Sequence, residues 1–178
     1  MHATIADVIA DTAQNSIEAG ASKVELTLVE GGGRLAVTIR DDGKGMDAAT
    51  VARAFDPFYT EPGKHAKRRV GLGLPILKQL CEATGGSVAL KSEPGRGTLL
   101  EYDFATGHID LPPTGDIAGM VVMLFNYPGD FELVFTHRRG DGEYKIARSE
   151  LAEAVGGFDS AGGVSLAREF LVSQEESL

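Results

Sequence analysis

Val24-Glu-Leu-Thr-Leu-Val29, a turn from Glu30 to Arg34 with three consecutive glycines, Leu35-Ala-Val-Thr-Ile39 and then Asp41-Asp-Gly-Lys-Gly-Met46 form the stretch whose reading decides the fold. Apolar and polar residues alternate on either side of the glycines, as in two half-buried strands joined by a hairpin. The second strand runs directly into a glycine-rich loop. Upstream, Ile5, Val8, Ile9, Thr12, Ala13, Ser16 and Ile17 recur at three- and four-residue steps, which predicts an amphipathic helix over 4–19 that Gly20 stops. Downstream, the pattern predicts a helix over 47–55, an irregular loop over 56–72 and an apolar helix over 73–84 ending at Gly85-Gly86. Strands over 87–92 and 98–104 then flank the turn Glu93-Pro-Gly-Arg-Gly97. Past a Pro-Pro loop, His108 to Gly115, the reading is a helix (116–126), a strand (131–137), the turn Arg139-Gly-Asp-Gly142, a strand (143–148) and helices near 149–155 and 163–173. The order αββααββ followed by αββαα predicts an α+β, two-layer α/β sandwich over residues 1–106, with residues 107–178 as a small C-terminal α/β appendage.

Charge divides the chain at nearly the same place. Of the 178 residues, 17 are Lys or Arg and 26 Asp or Glu, a net charge of −9. Residues 1–100 carry 12 acids and 12 bases, whereas residues 101–178 carry 14 acids and 5 bases, so the excess acid lies in the second part. An acidic chain lacks the basic face that releases counterions from nucleic acid, which argues against a nucleic-acid partner. The longest apolar stretch, Met120 to Phe125, is too short to span a bilayer, and the first residues lack the positive and apolar segments of a secretory signal. A lone cysteine, Cys81, suits a reducing compartment; the expectation is a soluble, cytoplasmic protein with no membrane partner.

Familiar phosphate motifs fail individually. No G-x-x-x-x-G-K-[ST] occurs, and Gly71-Leu-Gly73 lacks the third glycine of a dinucleotide fingerprint. A glycine pair before a helix also suits a tight turn, and Asp41-Asp-Gly-Lys-Gly45 also suits a surface turn. Four elements in fixed order carry more weight: Asp11 and Asn15 at i and i+4 on one helix face, the hairpin-borne Asp41-to-Gly45 loop, the aromatic Phe55-Asp-Pro-Phe-Tyr-Thr60, and Val70-Gly-Leu-Gly-Leu74. Between the last two lies Glu61-Pro-Gly-Lys-His-Ala-Lys-Arg-Arg69, with four bases against one acid. Gly71 and Gly73 let backbone N–H groups approach an anion, and the helix that follows offers its positive end. Pro75 is compatible with a first helical turn, where a missing N–H costs little.

These boxes, in this order over residues 4–105, resemble the ATPases that join gyrase, the ninety-kilodalton heat-shock chaperone, histidine kinases and mismatch-repair proteins, the GHKL superfamily. Residues 55–104 resemble histidine-kinase catalytic domains in particular. The resemblance implies the Bergerat ATP-binding fold, a mixed sheet with helices on one face. It implies ATP and Mg²⁺ as cofactors, with Asn15 as the metal ligand. It implies Asp41 as acceptor of the adenine amino group, assisted by Thr98 and bordered by Gly43, Gly45, Met46 and Phe55. Gly71, Leu72, Gly73 and Leu74 would form the phosphate loop, and Lys67, Arg68 or Arg69 a lid base. Asp11 stands where gyrase and mismatch-repair relatives usually carry a water-activating Glu.

Two departures matter. Many histidine kinases carry Lys three residues after the metal-ligating Asn, and here Glu18 stands there. The first predicted helix begins near residue 4, with no hairpin bearing a phosphoacceptor histidine ahead of it, and His2, His65, His108 and His137 are isolated. Phosphotransfer would then be to a separate phosphoacceptor or regulated protein. The alternative is an ATP-gated interaction module with weak ATPase activity and no phosphotransfer.

Overall fold

Alternation of apolar residues along each strand builds one sheet with one buried face. The computed structural model describes residues 4–57 and 73–178. Its elements are α1 (Ile5–Glu18), β1 (Lys23–Gly31), β2 (Arg34–Asp41), α2 (Ala48–Arg53), α3 (Gly73–Ala83), β3 (Ser87–Glu93), β4 (Gly97–Ala105), α4 (Ile117–Phe125), β5 (Glu132–Arg139), β6 (Gly142–Ala147), α5 (Arg148–Val155) and α6 (Ala161–Ser177). The strands lie in the order β3-β4-β2-β1-β5-β6, every pair antiparallel except β1 with β5. Register places Leu100, Ile39, Leu26 and Phe135 in one row across β4, β2, β1 and β5, and Tyr102, Val37, Leu28, His137 and Tyr144 in the next. All of these are buried, and the helices cover that face. Fully burying a side chain of this size contributes about 1.5–3 kcal/mol.

Residues 107–178, set apart by charge, do not form a sheet of their own. They add β5 and β6 to the edge of the hairpin sheet, and Ile117, Val121, Leu124, Phe125, Phe135 and Leu171 belong to the same core as Ile5, Ile9 and Leu26. Helix α1 is where the two parts meet. Thr4 and Asp7 cap it reciprocally: Asp7 N–H donates to Thr4 Oγ1 at 3.2 Å and Thr4 N–H to Asp7 Oδ2 at 2.9 Å. The next two N–H groups, of Ile5 and Ala6, donate to the carbonyls of Pro113 and Thr114, both at 2.9 Å. The segment leaving β4 therefore closes the N-terminus of α1, whose first N–H groups have no partner within the helix. Gly115 makes this approach possible: its φ is +83°, and a Cβ there would lie 2.6 Å from Thr4 Cβ. At the other end of α1, Tyr127, just past α4, donates its hydroxyl to Glu18 Oε1 at 2.6 Å.

Candidate functional site

Asp41 closes β2 on the buried face, opposite Val24 of β1 and Thr98 of β4, and is only 6% exposed. A buried carboxylate needs donors, and three converge on it. Gly43 N–H reaches Oδ1 at 3.0 Å, Thr98 N–H reaches Oδ1 at 3.2 Å, and the Ser16 hydroxyl reaches Oδ2 at 2.6 Å. A carboxylate offers about four acceptor positions, and three of them are met by donors among the described residues.

Backbone packs closely around this group because glycines allow it. Gly97 has φ +82°, and a Cβ there would lie 1.9 Å from the Asp41 carbonyl oxygen. Gly45 has φ +65°, and a Cβ there would lie 1.9 Å from the Glu93 carbonyl oxygen. The loop after β2 is thereby seated on the turn between β3 and β4. Ser92 bonds the two together: its hydroxyl donates to Gly97 O at 2.8 Å, accepts Met46 N–H at 2.8 Å and lies 3.0 Å from Thr98 Oγ1. With its one proton given to Gly97, Ser92 is the acceptor in the pair with Thr98. Asp42 ties the same loop to the start of β1, accepting Ser22 and Lys23 N–H, both at 2.8 Å, and the Ser22 hydroxyl at 2.5 Å. The Ser22 hydroxyl and those N–H groups hold the Asp42 carboxyl below its ordinary range.

The α1 face adjoining this loop carries Asp11 and Asn15 one turn apart. The Asn15 side chain is exposed, and Asp11 is half-buried. A Cβ at Gly73, the first residue of α3, would lie 2.5 Å from Asp11 Oδ2 and 4.0 Å from Asn15 Nδ2. The two motifs, 58 positions apart at their nearest members in sequence order (73 − 15 = 58), thus meet at the N-terminal end of a helix. Pro75 is the third residue of α3, where its missing N–H would have no intrahelical partner, and Leu74 packs against the core. Phe55, half-buried after α2, has Lys78 Nζ 5.9 Å from its ring centroid. Lys67, Arg68, Arg69, Gly71 and Leu72 lie outside the described residues.

The structure therefore brings together Asp41, Gly43, Gly45, Met46 and Thr98 in one cluster, and Asp11, Asn15 and Gly73 in a second on the neighbouring α1 face. Sequence reasoning missed two residues of the first cluster. Ser16 reads as one more member of the apolar helix face. The available signal was that a hydroxyl on such a face must find a partner. Ser92 carried no local signal at all.

Residues 2–107 match the family described as histidine kinase-, DNA gyrase B- and HSP90-like ATPase. The chain belongs to this family. Its six-stranded mixed sheet with helices on one face is the Bergerat fold of the superfamily. The sensor histidine kinase YxdK of Bacillus subtilis (strain 168) is 29% identical over 102 residues, covering 55% of this chain and 31% of that protein. The DNA mismatch repair protein MutL of Gemmatimonas aurantiaca is 31% identical over 121 residues, covering 64% of this chain and 19% of that protein. This chain thus spans about a third or less of these curated relatives. Among solved structures, the N-terminal domain of a DNA repair protein superposes with a TM-score of 0.57 at 15% identity, covering 90% of this chain and 58% of that one. That likeness is one of fold, and it extends well into residues 107–178. Among the described residues, no helix is long and apolar enough to cross a membrane.

Proposed function

We propose that this chain binds ATP with Mg²⁺ and transfers the γ-phosphate to a separate protein, as a histidine-kinase-like signalling enzyme. The observation that carries the reading is the buried Asp41 carboxylate, met by three donors and framed by glycines, beside a helix face bearing Asn15 and Asp11. A 6-amino purine presents an N–H to that carboxylate. Gly43, Gly45, Met46 and Thr98 border the ring, with Phe55 beyond α2. Gly73 and Leu74 open α3 towards the phosphates, and Gly71, Leu72 and the bases Lys67, Arg68 and Arg69 complete that side by resemblance.

The donor set fits Mg²⁺ only together with nucleotide. Among the described residues no group of three His, Cys, Asp or Glu could hold a metal ion. Asn15 supplies one hard amide oxygen, and phosphate oxygens and waters supply the rest. Bound with the nucleotide, Mg²⁺ would supply neutralisation of phosphate charge, and Asn15 is the residue that would hold it. Asp11 is the candidate base that accepts a proton from an attacking water.

A second reading, an ATP-gated module with weak hydrolysis, has its own support. Helix α1, which carries Asp11, Asn15 and Ser16, is held at one end by the Pro113–Thr114 carbonyls and at the other by Tyr127. A change at the nucleotide would be felt by residues 107–178 without any phosphotransfer.

Incubation with γ-labelled ATP and Mg²⁺, with and without cell extract, against Asn15→Ala separates the two. Asn15-dependent, acid-labile label on another protein is the expected result. Acid-stable label would indicate a serine or threonine kinase. ATP binding without any Asn15-dependent label would leave the gated module.

A further inference from the structure

We propose that the cleft between the α4–β5 segment and α5 docks a basic segment of a partner protein, one that carries arginine side chains beside apolar ones. The cleft has a volume of about 800 Å³, within the range of cavities that bury most of a ligand. Tyr127 and Phe158 line it, both half-buried against the rim of the core, together with Phe131. Aromatic side chains of this kind supply most of the contact energy where proteins meet.

Charge selects the occupant. Asp130, Glu132 and Asp159 line the cleft against one base, Arg148. Arg148 is committed to the wall itself: Nε donates to Phe125 O at 2.7 Å, Nη1 donates to Phe131 O at 2.8 Å, and the guanidinium carbon lies 4.4 Å from the Phe131 ring centroid. Glu132 is likewise taken up, by the Ser149 hydroxyl and the N–H groups of Ser149 and Leu133. Asp130 and Asp159 are exposed, and neither has a hydrogen-bond or ion-pair partner among the described residues. Two such carboxylates beside the rings of Tyr127 and Phe158 suit a guanidinium with an apolar flank, which pairs with a carboxylate and stacks on a ring face. The wider field has the same sign, since residues 101–178 carry 14 acids against 5 bases and attract a basic chain. Two walls of the cleft are also bonded to the Asp41 region. Tyr127 donates its hydroxyl to Glu18 of α1 at 2.6 Å, and Ser22 donates its N–H to Asp42 at 2.8 Å. Docking there requires no nucleotide at Asp41.

The probe is a fluorescein-labelled nonapeptide of alternating arginine and leucine, titrated with the full chain and followed by fluorescence anisotropy. Asp130→Asn combined with Asp159→Asn keeps the size of both side chains and removes their charge. Its control is Glu169→Gln combined with Glu176→Gln, which removes two exposed acids of α6 outside the cleft. The cleft pair is expected to weaken the peptide at least about tenfold and the α6 pair less than about threefold, with unfolding midpoints unchanged. A peptide with serine in place of leucine is expected to bind about tenfold more weakly than the probe. Equal weakening by the two variants assigns binding to net charge and overturns the proposal, as does equal affinity for the serine peptide. Spermine that displaces the probe at the peptide's own affinity makes the cleft a site for a small polyamine and overturns the protein occupant. A parent that does not bind the probe overturns the docking site outright.

Discussion

Asp41 and His137 sit on the same buried face of the sheet, on β2 and β5, with only β1 between them. Their surroundings differ. His137 is fully buried, with Nε2 3.1 Å from Glu30 Oε1 and Nδ1 2.8 Å from Glu175 Oε1. Arg139 Nη2 donates to Glu30 at 3.0 Å, and Tyr144 donates its hydroxyl to Glu175 at 2.5 Å. Both ring nitrogens face carboxylates, one on β1 and one on α6. This network joins β1, β5, β6 and α6 and leaves His137 nothing to offer a ligand. Around Asp41, three donors among the described residues, Ser16, Gly43 and Thr98, meet one carboxylate. A buried polar network linking four elements specifies packing, whereas the Asp41 cluster lies at the end of a strand and is framed by the glycines at 43, 45 and 97.

Removing His137 attacks the packing network. His137→Leu leaves Glu30 and Glu175 facing each other without the ring between them, and is expected to cost about 3–5 kcal/mol in denaturant unfolding while ATP affinity stays within about threefold of the parent. A cost below about 1 kcal/mol would mean that the network does not hold α6.

A smaller effect lies in the acid limb of stability. Burial alone would push the Glu175 carboxyl up, but hydrogen bonds from His137 and Tyr144 and the charges of His137 and Arg139 together hold it below its ordinary range. A carboxyl depressed in the folded state contributes stability that is present above its unfolded value of about 4.3 and is lost as pH falls through the folded value. Glu175→Gln should therefore lower stability near neutral pH and flatten the fall below about pH 4, as read from unfolding midpoints across pH. A variant with the parental slope there would remove Glu175 from the acid response and weaken the contrast with Asp41.

The order of elements was legible because its cues are local: alternation in β1 and β2, the glycine turn at 31–33, the periodic face of α1. The union of residues 107–178 with the sheet was not, since it depends on β1 pairing in parallel with β5, from Lys23 opposite Glu132 to Glu30 opposite Arg139. Charge segregates along the sequence without marking a boundary between sheets. The clusters show the same divide. Asp41 was legible from its glycines, but its partner Ser16 lies 25 positions away and read as apolar face. His137 looked isolated because Glu30 is 107 positions distant. Glu18, three residues after Asn15, is taken up by Tyr127, 109 positions on. Polar partners brought together by the sheet leave no trace in local spacing.

The role of Asp41 is tested most directly by titrating Mg-ATP into the parent and Asp41→Asn. Asparagine keeps the size and still offers an oxygen to Gly43 and Thr98 and an amide N–H to the Ser16 oxygen, so the fold should survive. In place of the second carboxylate oxygen it presents a donor. The expected result is ATP binding to the parent and a loss on the order of 100-fold in Asp41→Asn, with the unfolding midpoint little changed. Equal ATP affinity in the two proteins would contradict the assignment of Asp41 as the nucleotide-reading residue.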